Sequence, residues 1–147
     1  MKNRLEIIQQ SSLRVPRAYL TKQVEKIFEH FCRRKILKKS DLRDVIVVFL
    51  DEKPAKKVNY GFRQKNHAND VLSFDSISPD SYGELVICPQ VIRKQAKEHG
   101  LSFQEELLYM VIHGWLHLLG FDHETSQKDA RIMFQIQDEI FEKLINI

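Results

Sequence analysis

The stretch that most constrains this chain runs His113-Gly-Trp-Leu-His117-Leu-Leu-Gly120-Phe-Asp122-His123. Its histidines stand at offsets 0, 4 and 10. Residues four apart share one face of a helix, one turn above the other. Gly120 can take the left-handed conformation that ends a helix. The chain can then turn back and bring His123 to the same point from another direction. Three imidazoles around one spot, with a fourth direction open, make a catalytic zinc arrangement rather than a closed structural one. The helix itself has a clear start in Ser102-Phe-Gln-Glu105, a capping box. Leu107, Leu108, Val111, Ile112, Leu116 and Leu119 give it an apolar, largely buried surface.

The spacing follows the zincin pattern His-Glu-x-x-His-x-x-Gly-x-x-His except at the second residue, which is Gly114. That position normally carries the general-base glutamate, so a peptidase of this kind would lack its proton acceptor. On the sequence alone, Gly114 leaves room beside the metal. Neutral imidazoles in an open tetrahedral site suit one Zn2+, with Ni, Co or Cu as other divalent choices. A zinc so held lowers the pKa of its water from about 15.7 towards ~7. Asp122, beside His123, is a candidate to support a ligand from behind. Trp115 reads as a packing residue.

The rest of the chain supplies a scaffold. Leu5-Glu-Ile-Ile-Gln reads as a short strand. From about Pro16 to Leu37, Leu20, Val24, Ile27, Phe28 and Phe31 recur at helical spacing. Asp44-Val-Ile-Val-Val-Phe-Leu50 reads as a strand buried on both faces. Together these predict a βαβ unit with parallel pairing. Residues 51–69 are polar and mixed; a short helix starts near Glu52, and the remainder reads as loop. Asp70 to Asp75 and Glu84 to Cys88 read as strands of an antiparallel hairpin around a turn-rich 78–83 segment. Pro89 opens a helix over about 90–99, which Gly100 stops. Ser126 starts a last amphipathic helix, with Ile132, Met133, Ile136, Ile140, Phe141 and Leu144 inward.

Composition narrows the class. The 147 residues suffice for one domain with a real core. A hydrophobic share of 43% against 29% charged fits a globular protein, and no apolar run reaches the length of a membrane span. The start, Met1-Lys-Asn-Arg-Leu-Glu-Ile-Ile, is basic without an apolar h-region or a small-residue cleavage site, and reads as no secretion signal. Cys32 and Cys88 form no CxxC pair and read as buried thiols in a reduced cytoplasm. A net charge of +3 is compatible with nucleic acid without demanding it. The Arg33-Arg34-Lys35 run is explained by the helix dipole. His30, His67 and His99 read as surface residues, and the phenylalanines mainly as core. In the polar segment, Arg63 stands among Asn59, Lys65 and His67, and its planar donor fork suits a phosphate.

The three-histidine block, Asn59-Tyr-Gly-Phe-Arg63 followed by Asp70-Val-Leu-Ser-Phe74, Gly83-Glu-Leu-Val-Ile, and Met133 together resemble the YbeY family of bacterial rRNA maturation factors and metal-dependent endoribonucleases. The resemblance spans nearly the whole chain. Asn69 for Thr, Glu84 for Asp and Phe121 for Tyr depart mildly from the family pattern, none at His113, His117 or His123. The resemblance implies that residues 1–147 form a single α+β YbeY-like domain with a mixed four-stranded sheet and a zincin-like site. It implies one zinc on His113, His117 and His123, and a catalytic or phosphate-binding Arg63. It further implies cleavage of single-stranded RNA, small-subunit rRNA 3′ maturation and ribosome quality control. The implied partners are pre-rRNA, a small ribosomal subunit protein and an Era-type GTPase. Two alternatives stand beside it: a ribosome-assembly factor whose zinc is chiefly structural, and a zinc hydrolase acting on amide bonds.

Overall fold

A computed structural model describes residues 4–63 and 71–146, excluding the side chains of Phe62 and Arg63. Among the described residues, four strands and five helices follow in the order β1 (Leu5–Gln9), α1 (Arg17–Arg33), β2 (Asp44–Phe49), α2 (Glu52–Arg63), β3 (Val71–Asp75), β4 (Ser81–Ile87), α3 (Pro89–His99), α4 (Phe103–Leu118) and α5 (Gln127–Ile145). The strands form one sheet in the order β1-β2-β4-β3. β1 and β2 are parallel with Ile7 opposite Val47, and β2 and β4 are parallel with Val48 opposite Val86. β3 runs antiparallel to β4 with Leu72 opposite Val86. The mixed four-stranded sheet and the α+β class are therefore as expected.

Alternation along the strands decides where the core sits. In β2, Val45, Val47 and Phe49 are fully buried, whereas Ile46 and Val48 are half-buried. The expectation of burial on both faces thus holds fully for one face only. On that face Leu85 and Ile87 of β4 join them, and Leu20, Val24, Ile27 and Phe31 of α1 pack over the sheet with Ile112, Trp115 and Leu116 of α4. Trp115 is completely buried, edge-on to Phe31 at 5.0 Å between ring centroids and tilted against Tyr82 at 5.4 Å. α5 lies on α4, where Phe141 meets Tyr109 edge-on at 5.0 Å.

Several boundaries differ from the sequence reading. α1 ends at Arg33, before Leu37, because the Ile36 amide turns back to the Phe31 carbonyl. Lys35 takes a positive φ of 60° at this point. β4 begins at Ser81, inside the segment read as a turn. α2 continues to Arg63, so the stretch read as loop is helical as far as that residue. Ala55 and Asn59, four apart, are buried and give α2 an inward edge although asparagine and Gly61 are poor helix formers. Ile132, expected inward, is 42% exposed, and Cys32 is only half-buried.

Candidate metal centre

α4 is fixed at both ends before it presents any histidine. At its start the Ser102 hydroxyl accepts from the Glu105 amide at 3.1 Å, and the Ser102 amide donates to Glu105 Oε1 at 2.9 Å. At its end the Phe121 amide donates to the Leu116 carbonyl and the Gly120 amide to that of His117, both at 3.0 Å. This double closure is a Schellman turn, with Gly120 at φ 99° in the residue position that favours glycine. The turn sends the chain back along the helix and delivers His123.

The three histidines meet. Their ring centroids form a nearly equilateral triangle, 4.8 Å for His113 to His117, 5.0 Å for His113 to His123 and 4.9 Å for His117 to His123. One nitrogen from each lies within 4.8 Å of the others, and the group can hold a metal ion. All three are half-buried, shielded from bulk water and still approachable.

The surroundings orient His113 and favour a neutral His117. His113 Nδ1 lies 2.9 Å from Gln137 Oε1. An amide oxygen only accepts, so Nδ1 carries the proton and Nε2 keeps its lone pair for a metal. Gln137 is fully buried on α5. Burial lowers the pKa of His117, and the neighbouring His113 and His123 lower it further. His123 Nδ1 is buried without a hydrogen-bond partner, the kind of orphaned donor-or-acceptor atom that a bound cation relieves. Donor type, convergence and orphaned nitrogen all fit a divalent transition ion.

Other candidates fall differently. The Asp122 carboxylate accepts from the Glu124 amide at 2.8 Å, so it shapes the loop that carries His123. Gly114 faces the sheet: a Cβ there would come within 2.7 Å of Leu85 Cδ2. The room it creates lies between α4 and β4, which corrects the reading of space beside the metal. The Ser73 hydroxyl of β3 donates to the Gly114 carbonyl at 3.4 Å. Arg63 is the last residue of α2 rather than a loop residue, and its side chain lies outside the described residues, as do Lys65, His67, Asn69 and Asp70. His99 is half-exposed and bonds the fully buried Glu106 at 2.6 Å. Arg34, from the basic run, is spent on an ion pair with Glu139 of α5.

Two neighbours of the site escaped the sequence reading. Gln137 was legible as a polar residue on the buried stripe of Met133, Ile140 and Leu144. Phe134 lies over the histidines, 6.0 Å from the His113 ring and 5.6 Å from that of His123. Nothing in its local pattern separated it from the core phenylalanines.

Comparison with known proteins supplies the lineage. The family model described as Endoribonuclease YbeY matches residues 6–145. The chain belongs to the endoribonuclease YbeY family. A family protein from Bdellovibrio bacteriovorus, named Endoribonuclease YbeY, is 51% identical over 140 residues, covering 95% of this chain and 93% of its own. Another of that name, from Persephonella marina, is 38% identical over 136 residues, covering 88% and 84%. A solution structure from Thermotoga maritima superposes with a TM-score of 0.65 at 33% identity, covering 94% of this chain and 87% of that one. The family match encloses all three histidines, Gln137 and Phe134. Among the described residues no helix is long and apolar enough to cross a membrane.

Proposed function

We propose that this chain is a metal-dependent endoribonuclease that cuts single-stranded RNA, with one zinc held by His113, His117 and His123. The observation that carries the reading is the convergence of three half-buried imidazoles to within 4.8 Å in a member of this family. When bound there, such an ion supplies Lewis acidity at a phosphoryl oxygen and acidifies water. The protein's own contribution is to aim His113 and to keep His117 neutral. Gln137 fixes the His113 tautomer, and burial with the two flanking rings disfavours charge on His117. Arg63 is assigned to the phosphate, where its guanidinium fork binds two oxygens and steadies the charge that grows as the P–O bond breaks.

Family resemblance alone supports the finer assignments. These are small-subunit rRNA 3′ maturation and ribosome quality control in the cytoplasm, with a small ribosomal subunit protein and an Era-type GTPase as partners. An amide hydrolase is disfavoured because residue 114 lacks a carboxylate and faces Leu85.

The test is a pair of variants. His117→Ala is expected to lose bound metal and RNA cleavage together, by elemental analysis and an oligoribonucleotide assay. Full cleavage by metal-free protein would sink the proposal. Arg63→Lys keeps the charge and loses the fork. It is expected to retain metal while cleavage falls ~10²-fold, the scale of removing one preorganised donor.

A further inference from the structure

The metal reading leaves one prominent side chain beside the histidines without a task. Phe134 is 36% exposed although it packs at the rim of a half-buried cluster. Its ring is inclined by only 29° to that of His113. Core demand does not place it there, since Met133 and Gln137 occupy the buried side of α5. Three residues earlier, Arg131 is also exposed and makes no ion pair among the described residues. Residues three apart lie side by side on a helix. Two carboxylates of α5 have other partners: Asp129 accepts from the Thr125 hydroxyl and Asp138 from the Tyr109 hydroxyl. The rim therefore offers an open aromatic face next to an uncommitted cation.

That pair fits one ligand chemistry, a nucleotide. A base presents a flat π-face, and its phosphate seeks a cation. We propose that Phe134 is a base-stacking platform for an unpaired nucleotide of the RNA substrate beside the histidines, with Arg131 holding the adjoining phosphate. The inference rests on the endoribonuclease reading and deepens it. Bases in a duplex are already covered on both faces, so a platform of this kind selects single strands.

The experiment compares metal-loaded wild type with Phe134→Leu, Phe134→Trp and Arg131→Gln on a single-stranded oligoribonucleotide. Leucine keeps apolar bulk and removes the π-face. Phe134→Leu is expected to raise KM about tenfold at unchanged metal content, and Phe134→Trp to stay near wild type, on the scale of one lost base stack. Arg131→Gln is expected to raise KM and flatten its salt dependence. A fluorescent purine analogue in the oligonucleotide gives a second readout: quenching on rapid mixing with wild type and the tryptophan variant, and none with the leucine variant. Unchanged KM and quenching in Phe134→Leu overturn the proposal. Loss of metal from that variant also overturns it, because the ring is then a support for the histidines. If metal-loaded wild type cuts no RNA, the endoribonuclease reading fails instead, and the quenching still decides the platform.

Discussion

Gly114 illustrates how a single residue can be read two ways. In the linear motif it is a missing glutamate; in the fold it is the contact that lets α4 approach β4. A methyl group there would push into Leu85, which is fully buried. Gly114→Ala is therefore expected to destabilise the protein by about 1–3 kcal/mol, the usual cost of overpacking, while metal affinity stays unchanged. Denaturant midpoints and a chelator competition separate the two effects, and altered affinity at full stability would restore the motif reading. Gln137 makes the opposite prediction. Gln137→Leu removes the acceptor from His113 Nδ1 and is expected to weaken metal binding ~10–100-fold. Gln137→Glu, which keeps an acceptor, is expected to recover most of that loss. Equal affinity in all three proteins would show that the 2.9 Å contact does not orient the ligand.

At the scale of elements, legibility followed how local the signal was. The start and end of α4 could be read because capping box and Schellman turn are encoded within a few residues. Ser102→Ala is expected to cost ~1 kcal/mol through the lost cap, seen as a lower unfolding midpoint with the site intact. α2 was only partly legible. Its Asn59 and Gly61 resemble loop residues, and the buried edge that overrides them depends on what the rest of the fold packs against Ala55 and Asn59. The stripe of α5 was readable in outline, yet Ile132 is exposed, because burial follows how α5 sits on α4. Hydrophobic identity alone does not set that placement.

For the whole molecule, long-range polar contacts predict its response to acid. Asp41 is raised by burial, but its hydrogen bonds from Arg43 outweigh this and hold the carboxyl below its ordinary value. Glu139 is held low by Arg34, which ties α1 to α5, and Asp51 by the Ser12 amide and Gln90. A carboxyl depressed in the folded state adds stability above its unfolded pKa, near 3.8 for Asp and 4.5 for Glu, and loses it as pH falls through the lower folded value. His30 is lowered by burial first and then by Arg33, Lys143 and Arg34. For a lowered histidine the sign is the same: stability is complete above 6.5 and declines on acidification. The thermal midpoint of metal-free protein is thus expected to hold near neutrality, to sag below about pH 6 and to drop more steeply below about pH 4. A midpoint that rises towards pH 4 would contradict these assignments.

By itself the sequence determined the helix that carries His113 and His117, the turn at Gly120, most strands, and a chemistry of three imidazoles. Those features repeat every two or 3.6 residues or close within one turn, so neighbouring residues suffice to specify them. Tertiary structure alone decided that Gly114 serves the sheet, that Gln137 backs His113, and that Phe134 stands at the rim. Each of these joins separate elements through the packing of α4 on β4 or on α5. That packing is set by the summed fit of the core, which no local pattern of residues records.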